Sequence, residues 1–243
     1  MGIRRRTKVL VVVGAVVVVG AVAAATAGPV LYRDLIVGPP AAAPSLQAQE
    51  EDADQTGAPT ASASADPLAA LPSSWRVARG SYAGYRVDER LNGTPVTVTG
   101  RTRAVSGTVE TSGTSVSAAR IEVDLRKVAT NEPARDAYFR STAIDTDRHP
   151  TATFTLTGPI AAPAGTRIGA VTEVVARGTL ELHGTKREVS APLQAVVGAE
   201  SSKVAGSIPI RFSDYGVTAP DLAFVQVEKT GRIEFQVELT PAD

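Results

Sequence analysis

Two histidines, His149 and His183, and no cysteine stand among the 243 residues, which narrows the chemistry this chain can carry. Without cysteine there is no disulfide, no thiolate zinc site, no cysteine nucleophile and no Fe–S cluster. Asp145, Asp147 and His149 fall at every second position. On an extended segment all three project to one side and could gather a divalent cation, while the plainer reading is a solvated acidic loop. His183 precedes Gly184 and Thr185, which suits a hairpin turn better than a ligand or a base. Arg135 and Asp136 are adjacent and read as a structural pair pinning a short helix; the sharper alternative is that Arg135 meets an anionic group of a ligand. No G-x-S-x-G elbow, Walker A loop, H-E-x-x-H helix or dinucleotide fingerprint occurs. No catalytic residue, metal or cofactor is assigned, and the expectation is a protein that is not an enzyme.

The elements that must position these residues are strands. Beyond Trp75 the apolar period is almost everywhere 2: Ile121, Val123 and Leu125 alternate with Glu122 and Asp124, and Ile233, Phe235, Val237 and Leu239 alternate with Glu234, Gln236 and Glu238. Further runs at about 82–90, 95–109, 151–158, 171–182, 187–197 and 203–212 are rich in Val and Thr. Turn chemistry punctuates them at Asn92-Gly93, Thr111-Ser112-Gly113 and His183-Gly184-Thr185. Asn92-Gly93-Thr94 also fits a glycosylation sequon, though the turn explains it more simply. Pro133 to Arg140 loses the alternation and opens with Pro, which predicts a short helix or ordered loop. About eight antiparallel strands with one short helix give an all-β fold, a closed barrel or a sandwich. An eight-stranded barrel is either filled by side chains or just wide enough for one small ligand, and the low aromatic content, 5%, favours the hollow form.

Ahead of the strands the composition changes twice. Arg4, Arg5, Arg6 and Lys8 form a basic flank over 1–8, and residues 9–32 are an uncharged Val/Ala/Gly stretch. About 20 residues cross a ~30 Å hydrocarbon core, so this stretch predicts a single transmembrane helix or signal anchor, flank in the cytoplasm and the remainder outside. A cleaved signal peptide is the competing reading, since Ala25-Thr26-Ala27 has the small-x-small form. Residues 33–73, rich in Pro, Ala, Ser and Gly with acidic Glu50, Glu51, Asp52 and Asp54, read as a flexible linker. The domain over 74–243 holds 20 basic and 19 acidic residues, so nothing in its charge draws it to nucleic acid.

Three segments then carry a resemblance. Arg135-Asp136 with Phe139-Arg140-Ser141, then His149-Pro150-Thr151-Ala152-Thr153-Phe154, then Gly178 to Arg187 containing Leu180-Glu181-Leu182-His183-Gly184, resemble in order and spacing the signature segments of the YceI-like family. The likeness covers about Trp75 to Thr240. It implies an exported, lipocalin-like eight-stranded antiparallel barrel that binds a polyisoprenoid or similar long-chain amphiphilic lipid. Two segments depart from the family pattern: Gly80 to Tyr85 replaces a His-Ser pair, and Ala143 to Asp147 replaces a bulky apolar segment. Both bear on the pocket mouth.

In such a barrel core residues are also pocket wall, so the expected ligand-binding set is Tyr82, Tyr85, Arg135, Tyr138, Phe139, Phe154, Leu156, Leu182, Phe212, Tyr215, Phe224 and Phe235. The expected partners are an isoprenoid or other long-chain lipid and the membrane through the N-terminal helix, with no nucleic acid; a homodimer is left open. Sequestering about 15 lipid carbons gains about 12 kcal/mol. Association costs of roughly 4–15 kcal/mol leave the modest affinity of a carrier that must also release its cargo. The alternative is a solidly packed barrel that serves as an interaction module of the cell envelope.

Overall fold

The computed structural model describes residues 40–47, 67–222 and 225–242. The expected apolar span 9–32, its basic flank and Phe224 lie outside them. Among the described residues no helix is long and apolar enough to cross a membrane.

The described strands form one antiparallel sheet: β1 (Ser74–Val77), β2 (Tyr82–Leu91), β3 (Thr94–Thr102), β4 (Val105–Ser112), β5 (Ser115–Asp124), β6 (Thr151–Leu156), β7 (Ile160–Ala161), β8 (Val171–Leu182), β9 (Thr185–Val196), β10 (Ser202–Arg211), β11 (Asp221–Leu222) and β12 (Val225–Pro241). Eight of them close a ring in the order β1, β4, β5, β6, β8, β9, β10, β12 and back to β1. The fold is thus an eight-stranded antiparallel barrel. Closure depends on the 17-residue length of β12. Its end pairs with β1, Trp75 opposite Pro241 and Val77 opposite Leu239, while its earlier part, from Val225 to Gln236, pairs with β2. Hairpin β2–β3 therefore extends the wall at one end of the barrel, and a bridge from Arg101 to Ala129 holds β3 to the loop that follows β5.

Two turns follow from their residue types. Asn92 and Gly93 have φ of 47° and 81°, His183 and Gly184 of 50° and 72°. Paired positive φ values match the twist of the flanking strands, and Asn-Gly and His-Gly reach them at low steric cost. The third turn lies one step later than expected. Ser112 still pairs with Ser115, so Gly113 and Thr114 make the reversal. The run expected over 95–109 is two strands, β3 and β4. They break at Arg103-Ala104, where Thr102 Oγ1 accepts the Ala104 N–H at 3.0 Å and Ala104 O accepts from Asp124 N at 3.0 Å.

The expected helix is α1 (Pro133–Tyr138), with Pro in its first turn and Glu132 capping Ala134 N at 3.2 Å; it runs on as a π-helical turn over Phe139–Ala143. Arg135 and Asp136 do not pair with each other. Successive helical residues diverge by about 100°, so each finds its own partner. Asp136 Oδ1 accepts from Thr130 N at 2.8 Å and Thr130 Oγ1 at 2.7 Å, which ties down the loop entering α1. Arg135 turns inward. Two stretches of the expected linker are also packed on the barrel. Residues 67–73 form a 3-10 turn (Pro67–Ala70) and a short lead into β1, with Pro72 O accepting from Trp75 Nε1 at 2.9 Å and from Thr111 Oγ1 at 2.7 Å. Residues 40–47 lie against the outer wall, where Arg86 and Arg101 donate to Ala41 O and Ala42 O.

Candidate functional site

Period 2 sends alternate residues of every long strand inward, and the interior is kept open by how its aromatics are seated. Three inward aromatics lie over inward glycines. Tyr85 stands opposite Gly100 and Phe235 opposite Gly206 in the pairing register, and Phe154 lies diagonally across from Gly178. A methyl group added at any of these glycines would overlap the aromatic ring or its immediate neighbours. Seated in this way a ring lies along the wall, and the aromatic area covers backbone that would otherwise face the cavity.

The hollow divides into two chambers. The upper one, toward β1, has a volume of about 260 Å³ and is walled by Trp75, Val109, Phe154, Leu156, Phe235 and Val237 among others, overwhelmingly apolar. The lower one, between hairpin β2–β3, α1 and the start of β12, has a volume of about 1240 Å³ and includes Tyr85, Glu89, Leu125, Arg135, Phe139 and Phe212 in its wall. Ala83, Val123, Ala152 and Ile233 belong to both walls, so the chambers adjoin across a belt of small and aliphatic side chains. The larger chamber exceeds the usual ~300–1,000 Å³ of a small-molecule pocket.

Among the described residues, a buried ion pair enters the lower chamber. Glu89 follows Ala83, Tyr85 and Val87 on the inward face of β2 and is 7% exposed. Arg135 Nη2 donates to Glu89 Oε1 at 3.3 Å, whereas its buried Nη1 has no hydrogen-bond partner among the described residues. Burial pushes the Glu89 carboxyl above the ordinary carboxylate value, and Arg135 pulls it partly back. The Tyr85 hydroxyl is pushed up to about 12 by burial, with Arg135 opposing and Asp136 and Glu89 adding to the rise. Tyr85 stacks on Phe139 of the π-helical turn, centroids 5.3 Å apart and rings 15° from parallel. The lower chamber thus offers apolar walls, the phenols of Tyr85 and Tyr138, the carboxylate of Glu132 and the Arg135–Glu89 ion pair with a spare donor.

The expected ligand set divides by location. Phe154, Leu156 and Phe235 line the upper chamber; Tyr85, Arg135, Tyr138, Phe139, Leu182 and Phe212 line the lower one. Tyr82 is on the outer face, its ring 4.6 Å from the Arg101 guanidinium, because β2 turns its odd positions inward. Tyr215 is buried in the cluster of Leu125, Val128 and Ile144 and lines neither chamber. Burial raises its hydroxyl pKa, with Asp214 adding to the rise and Arg187 opposing it. Asp145 to His149 is a turn, with Asp145 at φ 50° and its carbonyl accepting from Arg148 N and His149 N. The extended geometry that would aim its acids and histidine to one side does not occur, and no cluster of three metal-ligating side chains exists among the described residues. The fold instead brings the two histidines edge to face, centroids 4.7 Å apart, with His183 Nδ1 2.9 Å from Tyr215 O. Sequence reasoning missed Glu89 and the glycines under the rings. For Glu89 the signal was present: an acid in phase with Ala83, Tyr85 and Val87 falls on the dry face.

Residues 76–239 match the model of the YceI-like domain. No curated protein matches the chain in sequence. Among solved structures, a polyisoprenoid binding domain from Saccharophagus degradans, implicated in plant cell wall breakdown, superposes with a TM-score of 0.57 at 22% identity, over 70% of this chain and 99% of that one. BcnA of Burkholderia cenocepacia superposes with a TM-score of 0.50 at 19% identity, over 63% of this chain and 95% of that one. At these identities the likeness speaks for the barrel.

Proposed function

The chain belongs to the YceI-like domain family, and from that premise we propose that its barrel takes up one long-chain amphiphilic lipid of the isoprenoid type, binding and releasing it without chemical change. The carrying observation is the adjoining of two unlike chambers inside one barrel. The upper chamber suits the end of an apolar chain, and the lower one suits the remainder with a polar head near Arg135 and Glu89. The Saccharophagus domain, described as polyisoprenoid binding, supports the ligand class.

Arg135 is not a free cation in this reading. Glu89 already neutralises it, so the pair answers best to a head that exchanges hydrogen bonds with both a donor and an acceptor. The unpaired Nη1 is the donor such a head would meet. Catalysis forms no part of the proposal: His183 is engaged with a backbone carbonyl and His149 with His183. The basic flank and the apolar stretch 9–32 support a barrel held outside the cytoplasm by an N-terminal anchor.

Native mass spectrometry of the full-length protein, extracted from membranes with lipid retained, tests the proposal. We expect a bound species whose mass is that of one long-chain lipid. An unmodified protein that carries no lipid from any source, and acquires none from added polyprenols or quinones, overturns it in favour of an interaction module.

A further inference from the structure

On the outer wall of a barrel, residues of the wet face are ordinarily solvated, yet Glu234 and Ala205 here are closed off. Glu234 is 3% exposed and Ala205 1% exposed, although their neighbours in sequence, Ile233, Phe235 and Val204, are the ones that line the cavity. A carboxylate buried on the outside needs partners. Arg86 Nε and Nη2 donate to its two oxygens at 2.5 and 3.1 Å, and Arg101 Nη2 lies 3.6 Å from Oε2. Both arginines reach past Glu234. Arg86 Nη2 donates to Ala41 O at 2.6 Å and Arg101 Nη2 to Ala42 O at 2.5 Å. Ala41 N donates to Thr99 Oγ1 at 3.4 Å, and Leu46 N to Gln194 Oε1 at 3.0 Å.

These contacts lie on β2, β3 and β9, and the strand order between their extremes is β9, β10, β12, β2, β3. Segment 40–47 therefore crosses the strands rather than joining the sheet. Four spacings of about 4.8 Å make about 19 Å. Five residue steps from Ala41 to Leu46, at about 3.1 Å each in a polyproline II conformation, make about 16 Å, and the long arginine and glutamine side chains close the difference. Pro40 and Pro44 favour that conformation before docking, which lowers the entropy lost on binding. Gly84, opposite Glu234, lets β2 and β3 approach closely at this point, since a Cβ there would meet Gly100 O and Arg101 Cα.

We infer that this trough is a docking site for the chain's own segment 40–47, and that docking sets how far the barrel can stand from a membrane. This rests on the proposed anchor at 9–32. With segment 40–47 undocked and 67–73 still packed on the barrel, the 34 residues 33–66 would separate barrel and bilayer, with a root-mean-square reach of about 32 Å. With segment 40–47 docked, only the 7 residues 33–39 separate them, a contour about five-fold shorter and a reach of about 15 Å. The barrel is then held near the bilayer by one side of its wall, the side built from β9, β10, β12, β2 and β3.

The absence of cysteine makes the test direct. Spin labels at Ala43→Cys and Glu188→Cys in the full-length chain should give one narrow distance distribution. Arg101→Ala, which leaves the paired Arg86 on Glu234, combined with Gly/Ser in place of 40–47, should broaden it without changing the circular dichroism of the barrel. A dye at Glu188→Cys in chains inserted into phosphatidylcholine vesicles should transfer energy to acceptor-labelled lipid, and transfer should fall in the combined variant as the mean separation about doubles. A broad distribution in the unaltered segment overturns the dock. Unchanged transfer on undocking overturns its control of reach. A narrow distribution in a chain that does not stay with vesicles upholds the dock and overturns the anchor alone.

Discussion

The two chambers are built from the same strands by the same period-2 rule, yet they present unlike solvents to a ligand. In the upper chamber every long inward side chain is apolar, and the volume is about 260 Å³; in the lower one the same inward phase of β2 delivers Glu89, and α1 delivers Arg135 into about 1240 Å³. The difference comes from how each end is closed. The upper end is sealed by β1 and the packing of Leu71, Val109 and Val237 around Trp75. The lower end is covered by α1, the π-helical turn and residues 217–220, elements outside the sheet that can bring in a side chain at any angle. A barrel alternates faces without choice, so a polar group in its interior must sit at an inward strand position or arrive from a cover. The lower chamber uses both routes and pairs the two results.

The sharpest way to break this contrast is to put a charge in the dry chamber. Phe154→Asp should cost about 3 kcal/mol or more and empty the pocket, whereas Thr155→Asp, one residue along on the exposed face, should cost under about 0.5 kcal/mol. Chemical denaturation gives the stabilities and native mass spectrometry the occupancies. Equal lipid occupancy in the two folded variants would mean that Phe154 is not pocket wall.

Removing charge from the lower chamber should do less. Arg135→Leu deprives Glu89 of its partner, but the carboxyl can take up a proton, so we expect a loss of about 1–3 kcal/mol rather than the full penalty of an unpaired buried ion. Lipid heads that hydrogen-bond should be lost preferentially over purely apolar ligands. Equal weakening of both would show Arg135 to be only structural.

Next in size is the seating of an aromatic. Gly100→Ala should destabilise by about 1–2 kcal/mol, because the new methyl group meets the Tyr85 ring and nothing closer. Tyr85→Leu should restore much of that loss in the double variant. Additive losses in the cycle, measured by denaturation, would separate the ring from the glycine.

The strands were legible because a closed barrel with one dry face imposes alternation over long runs, as at Ile233 to Leu239, and because Asn92-Gly93 and His183-Gly184 reach paired positive φ easily. The division between chambers was not. Which end an inward residue reaches depends on register, and register between distant strands such as β12 and β2 is set by a bulge between Val227 and Gly231 that local pattern does not reveal. Tyr82 shows the cost of reading by residue type instead of phase: as an aromatic it looked like pocket wall, but one position from Ala83 it faces out. Segment 40–47 was illegible for another reason. Proline and alanine without period read as a linker, and only the pairing of Arg86 and Arg101 around Glu234 gives them a surface to lie on.

The smallest effect is a pH dependence that should belong to the lower chamber alone. Burial raises the Glu89 pKa above the 4.5 of a free glutamate, so between those two values the folded chain holds a proton that the unfolded chain has released. Stability contributed by this site is present below the unfolded value and is lost as the pH climbs through the raised one. Other carboxylates add their own dependence, so the comparison must be with Glu89→Gln, which keeps the shape and cannot ionise. The difference in unfolding free energy, unaltered protein minus Glu89→Gln, should fall with rising pH across that window and level off above it. In an Arg135→Leu background the fall should extend to higher pH, since Arg135 is the group that lowers the Glu89 pKa. Phe154→Leu, in the other chamber, should leave the curve where it was. A difference that rises with pH would mean that Glu89 is held as a carboxylate by the ion pair more strongly than burial opposes it, and the lower chamber would then be a site of fixed charge rather than a hydrogen-bonding one.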